Sequence, residues 1–184
     1  MRDCSQHGVV PIDAIDGAGL TRRLAFIELM ELLEFNVLRL DPPGGLPAAP
    51  PGDLIGTLDW WLGRSVEPPS ARAGPIEDHA VYICSTTRAL RQAVLPADDT
   101  LVHLADAAET AGPLPGAQGV RLYATARAPR VRPPASADAR PPYLRVDLTT
   151  LLSRVVVPAR LPQHMFELIQ SVVRSRVWVD VVRP

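Results

Sequence analysis

The stretch that decides the fold runs Val81-Tyr82-Ile83-Cys84-Ser85-Thr86-Thr87-Arg88, then Leu101-Val102-His103-Leu104-Ala105-Asp106, then Glu109-Thr110-Ala111. It reads as a strand, a helix, a second strand and the start of a second helix within about thirty residues. On the N-terminal side, Gly8 to Ile15 sets apolar positions after a turn and reads as a short strand leading into a helix. Thr21 is placed to cap the next helix, in which Leu24, Ile27, Leu32 and Phe35 face the core while Glu28, Glu31 and Arg39 face water. The Pro- and Gly-rich run from Pro42 to Gly52 is a surface loop, and Glu67 to Pro75 is a linker. On the C-terminal side, Gly112 to Pro142 is rich in Pro, Ala and Arg, with Val120 to Ala124 as a strand inside it.

A chain of 184 residues with 47% hydrophobic content buries a real core as one domain or two small lobes. Its net charge of −1 gives no global attraction to nucleic acid or to an acidic membrane, so any such contact has to come from a local patch. The halves differ: residues 1 to 75 hold 6 arginines against 10 carboxylates, and residues 76 to 184 hold 13 against 10. Every basic residue is arginine, which excludes a lysine nucleophile or Schiff base. Cys4 and Cys84 form neither a Cys-x-x-Cys motif nor a disulfide framework, so a reducing compartment is expected. The N-terminus lacks the apolar core of a signal peptide, and the most apolar run, Leu24 to Leu40, is broken by Glu28, Glu31 and Glu34. These features predict a cytoplasmic protein without a membrane partner, or a nuclear one if the source is a eukaryote. His7, His79 and His164 have no metal-ligand spacing, so no metal is expected.

The order of these segments resembles the RNA 2'-phosphotransferases. In that family the first strand ends in Tyr-His-Gly-Thr, and the second carries Arg-x-His-Val-His-Leu-Ser before an acidic Glu-Thr-Ala helix start. The similarity extends to Gly8 to Ile15, which follows the family's Gly-Trp-Val-x-Val-Asp-x-Leu run at a winged-helix element. It continues at Phe35 to Leu40, where a helix end turns into a strand, and at Leu58 to Val66, a short strand before the turn Leu62-Gly63-Arg64-Ser65. Tyr143 to Asp147 matches a Val-Leu-x-Val-Asp strand followed by a short helix, and Arg176 to Asp180 is similar to the closing Gly-Val-Trp-Leu-Thr. Gly112 to Pro142 is longer than its counterpart and reads as a lineage insertion.

The resemblance implies a two-lobed α+β protein, with a small winged-helix-like lobe over residues 1 to 70 and an ADP-ribosyltransferase-like split β-sheet over residues 75 to 184. It implies NAD as co-substrate and RNA carrying a 2'-phosphate, above all tRNA, as partner. In that family the 2'-phosphate attacks the nicotinamide-bearing ribose carbon of NAD and nicotinamide leaves. The ribose 2''-hydroxyl then attacks phosphorus, leaving a free RNA 2'-hydroxyl and ADP-ribose cyclic phosphate. Both steps gather negative charge, which fixed guanidinium groups stabilise. Carried over by position, Arg39 is the catalytic residue and holds the substrate phosphate together with Arg64, while Tyr82, Ser85, Thr86 and His103 contact the cofactor. His103 also reads as a strand histidine satisfied by a backbone carbonyl.

Some positions depart from the family. Ile83 replaces its histidine, Cys84 its glycine and Asp99 its second-lobe arginine, and the chain begins after the place of an Arg-His pair with which Arg2 is out of register. Carboxylates at Asp98 and Asp99 repel a transferring phosphate. Two other readings therefore stand beside the transferase. One is a binding module for NAD, ADP-ribose or a phosphorylated RNA end that does not turn over. The other is an ADP-ribosyltransferase acting on a nucleic-acid terminal phosphate.

Overall fold

The computed structural model describes residues 17–42, 54–63, 80–95, 100–107, 119–126 and 142–184. The elements run β1 (Gly19–Leu24), α1 (Phe26–Phe35), β2 (Val37–Arg39), β3 (Leu54–Leu62), β4 (Val81–Thr86), α2 (Thr87–Ala93), β5 (Thr100–Ala107), β6 (Gly119–Ala126), β7 (Tyr143–Arg145), α3 (Leu148–Leu151), β8 (Arg154–Val156), α4 (Gln163–Arg176) and β9 (Asp180–Val182). The class is α+β, as expected. Seven strands form one sheet in the order β5-β6-β3-β1-β4-β8-β9, and β2 pairs with β7 in a separate two-stranded ribbon. Every pairing in the large sheet is antiparallel except β8 with β9.

The stretch from Val81 folds as read. Val81 and Ile83 are fully buried in the main core, and Tyr82 and Cys84 pack with Val156 and Val182 in a smaller cluster, so β4 is covered on both faces. The strand ends where Thr86 accepts a hydrogen bond from the Ala89 N–H at 3.0 Å and caps α2. Leu101 to Asp106 lies in β5. Glu109 to Ala111, like Gly8 to Ile15 and Arg64, lies outside the described residues.

Two expectations are corrected. Thr21 does not cap a helix: it sits in β1 paired with Cys84 and Trp61, and α1 begins one residue after Ala25, whose N–H donates to Glu28 Oε2 at 2.8 Å. The strand carries Leu20, Arg22 and Leu24 inward with period two, which delays the helix to Phe26. The buried stripe of α1 is consequently Leu29, Leu32 and Leu33, while Ile27 and Phe35 are exposed. The second correction concerns the lobes. β1 and β3, from before the expected boundary, lie between β6 and β4, from after it, and share one core with them. Backbone pairing of β1 with β4 over six residues joins the two segments, so among the described residues no boundary at 70 to 75 divides two cores. The strand expected at Val120 to Ala124 is present as β6, an internal strand that pairs with β3 and β5 and buries Val120, Leu122 and Ala124.

The ribbon is fixed by backbone contacts to the main body. Leu40 N–H donates to the Pro142 carbonyl, Val146 N–H to the Asn36 carbonyl, and Asp41 exchanges two bonds with Thr57. Asn36 closes α1 in the left-handed region at φ 55, its N–H returning to the Leu32 carbonyl, which turns the helix end into β2 as the sequence predicts. Gly56 is required by close approach: a Cβ there would lie 2.8 Å from the Asp41 carbonyl oxygen and 2.8 Å from the Leu40 Cβ. Among the described residues no helix is long and apolar enough to cross a membrane.

Candidate functional site

A cavity of about 610 Å³ opens beside the end of β4, where α3 and the C-terminal end of α4 meet β9. Its volume is that of a small-ligand site. Thr149, Leu152 and Ser153 line one side, and Arg174, Val177, Trp178, Val179 and Asp180 line the other.

Each wall is built locally. Asp147 caps α3, accepting from the Thr149 N–H at 3.0 Å, the Thr149 hydroxyl at 2.8 Å and the Thr150 hydroxyl at 2.8 Å. Those hydrogen bonds favour the carboxylate and hold the Asp147 pKa below its ordinary value. Ser153 is tied to β4 twice, its N–H and its Oγ both donating to the Cys84 carbonyl, at 2.9 and 3.0 Å. The cavity wall and the Cys84-Ser85-Thr86 strand end are thereby neighbours. On the opposite wall, α4 delivers Arg174 in its last turn, where a guanidinium also offsets the helix dipole. Arg176 pairs with Glu34 of α1. Val177 and Val181 are buried on either side of Trp178, which is 93% exposed.

The sequence-derived residues do not gather in one place. Ser85 is buried, its hydroxyl 3.5 Å from the Thr86 carbonyl, and Thr86 is occupied as the α2 cap. Tyr82 is buried against Val156, Cys84 and Val182. His103 is exposed on the edge strand β5, opposite Tyr123 of β6. Four strand spacings separate it from β4, about 19 Å. Arg39 is exposed on the ribbon opposite Tyr143 and does not line the cavity. Thr149 and Arg174 were not singled out by the sequence reading, and Trp178 and Asp180 entered it only within the Arg176 to Asp180 run, with no site role. The signal available was a tryptophan between two valines, Val177-Trp178-Val179, an alternation that turns one large side chain outward.

A second charged cluster crosses β1 and β3. Arg22 is 7% exposed and donates from Nη1 to the Asp59 carbonyl at 2.8 Å, while its Nε is buried without a partner. Arg121 grips the Asp59 carboxylate with two hydrogen bonds of 2.6 and 2.9 Å. Burial pulls the Arg22 pKa down and the nearby Asp41, Glu28 and Asp59 carboxylates push it up. Burial likewise raises Asp41, against the charge of Arg22. This cluster ties strands together. Cys84 is a buried free thiol whose pKa burial raises, opposed by a hydrogen bond with Thr21 and the charge of Arg154. Among the described residues no group of three or more His, Cys, Asp or Glu stands together as a metal site would require.

No family model matches the chain, and no curated protein matches it. Two solved structures are similar in outline. Thermus sp. 2.9 DarT in complex with carba-NAD+ is 11% identical over 91% of this chain and 96% of that one, with a TM-score of 0.45. Thermus sp. 2.9 DarT in complex with NAD+ is 12% identical over 90% of this chain and 96% of that one, with a TM-score of 0.41.

Proposed function

We propose that the chain is a binding module for NAD or ADP-ribose, with the cavity beside the end of β4 as its nucleotide site. The observation that carries this reading is the wall itself: two hydroxyls, one guanidinium, one carboxylate and an exposed indole around about 610 Å³, next to the strand end that the phosphotransferase resemblance assigns to the cofactor. A ribose needs hydroxyl partners, a diphosphate needs a cation and a base needs an aromatic or apolar face, and these walls supply all three. The separation of His103 and Arg39 from this cavity supports binding without turnover, because phosphoryl transfer needs its cationic groups at one reacting centre.

The second reading is NAD-dependent removal of a 2'-phosphate from RNA. It is favoured by Arg39, which stands exposed after the helix-to-strand turn, with Arg145 exposed on the partner strand of the same ribbon. One experiment separates the readings. The chain is titrated with NAD and ADP-ribose by calorimetry, then incubated with NAD and a short RNA bearing one internal 2'-phosphate, and the products are read by mass spectrometry. Binding with both NAD and RNA recovered intact is the expected result. ADP-ribose cyclic phosphate would establish the transferase, ADP-ribosylation of a control RNA that carries only a terminal phosphate would establish the terminal-phosphate enzyme, and no binding of either nucleotide would overturn the proposal.

A further inference from the structure

The cavity is short of donors. Thr149 Oγ1 directs its proton to Asp147 Oδ1 at 2.8 Å and Ser153 Oγ directs its proton to the Cys84 carbonyl at 3.0 Å, so both hydroxyls turn lone pairs to the space between them. Asp180 adds a carboxylate. The C-terminal end of α4, which stops at Arg176, adds the negative end of its dipole. Against these acceptors the lining offers one cation, Arg174. Such walls suit a ligand that brings donors or positive charge, together with a single anionic group for Arg174.

Trp178 supplies the remaining surface. Its 93% exposure does not come from a loose segment. The Val177 N–H donates to the Val173 carbonyl at 2.8 Å, the Val179 N–H to the Val177 carbonyl at 3.2 Å, and Val177 and Val181 are 4% and 8% exposed. The indole is held outward at the cavity by a chain anchored on both sides. Trp60 of the same molecule is wholly buried, so Trp178 forgoes burial that this fold provides for tryptophan elsewhere. An outward indole face beside a carboxylate and a helix C-terminus is a receptor for a flat cation.

On the reading that the chain binds NAD, we propose that this cavity receives the oxidised nicotinamide mononucleotide half. The pyridinium ring lies on Trp178 with Asp180 as its counter-charge. The carboxamide and ribose hydroxyls donate to Thr149 and Ser153, and the phosphate meets Arg174. Positive charge on the ring is what the site selects, so the reduced ring and the adenylate half are the discriminating controls.

The test is calorimetry of the full chain with oxidised nicotinamide mononucleotide, its reduced form, AMP and NAD. Oxidised nicotinamide mononucleotide is expected to bind at least about tenfold more tightly than the reduced form or AMP. Trp178→Ala is expected to weaken it by about 2- to 30-fold, with Trp178→Phe recovering part of the loss. Asp180→Asn should narrow the gap between oxidised and reduced forms. Both side chains are exposed, and circular dichroism of the variants verifies that folding is kept. NAD binding that is indifferent to both substitutions, or equal affinity for the two oxidation states, overturns this assignment and leaves the NAD reading standing. Failure of the unsubstituted chain to bind NAD or either half overturns both.

Discussion

Trp60 and Trp178 carry one side chain into opposite surroundings. Trp60 is fully buried in β3 with its Nε1 unpartnered, an orphan donor inside the core. Trp60→Ala is therefore expected to destabilise by about 3 to 5 kcal/mol, whereas Trp60→Phe, which removes the orphan N–H while keeping most of the volume, should lie below about 1.5 kcal/mol. Urea denaturation of the two variants checks the order, and equal losses would count against a tightly packed Trp60. Cys84 gives a second test at this scale. Its thiol pKa is raised by burial above the ordinary 9.0, so the neutral form favours the fold. That contribution is whole below pH 9.0 and is lost as pH rises through the higher folded value. Peptide mapping after iodoacetamide at pH 8 should find Cys84 unmodified in the folded chain and alkylated in urea; rapid labelling of the folded chain would show an accessible thiol. Cys84 was legible as a strand residue from its apolar neighbours, but the orphaned nitrogen of Trp60 was not, because it depends on what packs around β3.

The elements are set by their ends. Thr86 stops β4 and starts α2 with one side-chain bond, so Thr86→Ala should cost about 1 kcal/mol. The same substitution tests the site: if Thr86 serves only as a cap, NAD affinity follows stability and is otherwise unchanged. Asn36 holds the left-handed turn between α1 and β2, so Asn36→Gly should be near neutral, while Asn36→Val should cost on the order of 1 to 2 kcal/mol and loosen the ribbon. Thermal melts of the pair decide this. Asp147 provides the pH-dependent case. Hydrogen bonds from Thr149 and Thr150 lower its pKa, so the α3 cap is complete above the ordinary carboxylate value and is lost as pH falls through the lower folded value. Asp147→Asn should remove that acid-side loss, measured as melting temperature against pH. The helix-to-strand turn between Phe35 and Leu40 was read through the family resemblance, while the cap at Thr86 was not read although it depends only on neighbours in the chain. The face of α1 was not legible: Ile27 and Phe35 look like core positions until β1 is seen to run on to Leu24 and shift the helix start.

At the scale of the whole molecule, the large sheet brings together strands that the sequence reading assigned to two lobes. β1 and β4 are flanked by strands on both sides, while β5 and β9 are its edges. Amide hydrogen exchange is accordingly expected to be slowest in β1, β3 and β4 and faster in β5 and β9, with protection rising together on both sides of residues 68 to 75. Two independent unfolding transitions, one for each expected lobe, would contradict the shared core.

The sequence by itself determined the strand and helix that start at Val81 and the strands at Leu101 to Asp106 and Val120 to Ala124, and the family resemblance added the helix-to-strand turn after Phe35 and the α+β class. The strands and the helix rest on periodicity between residues close in the chain. Tertiary structure alone decided the placement of β6 inside the sheet, the distance between His103 and β4, and the cavity that joins Thr149 and Ser153 to Arg174, Trp178 and Asp180. Those are products of strand order and of helix ends meeting across the chain, set by which apolar faces bury one another and not by any local pattern.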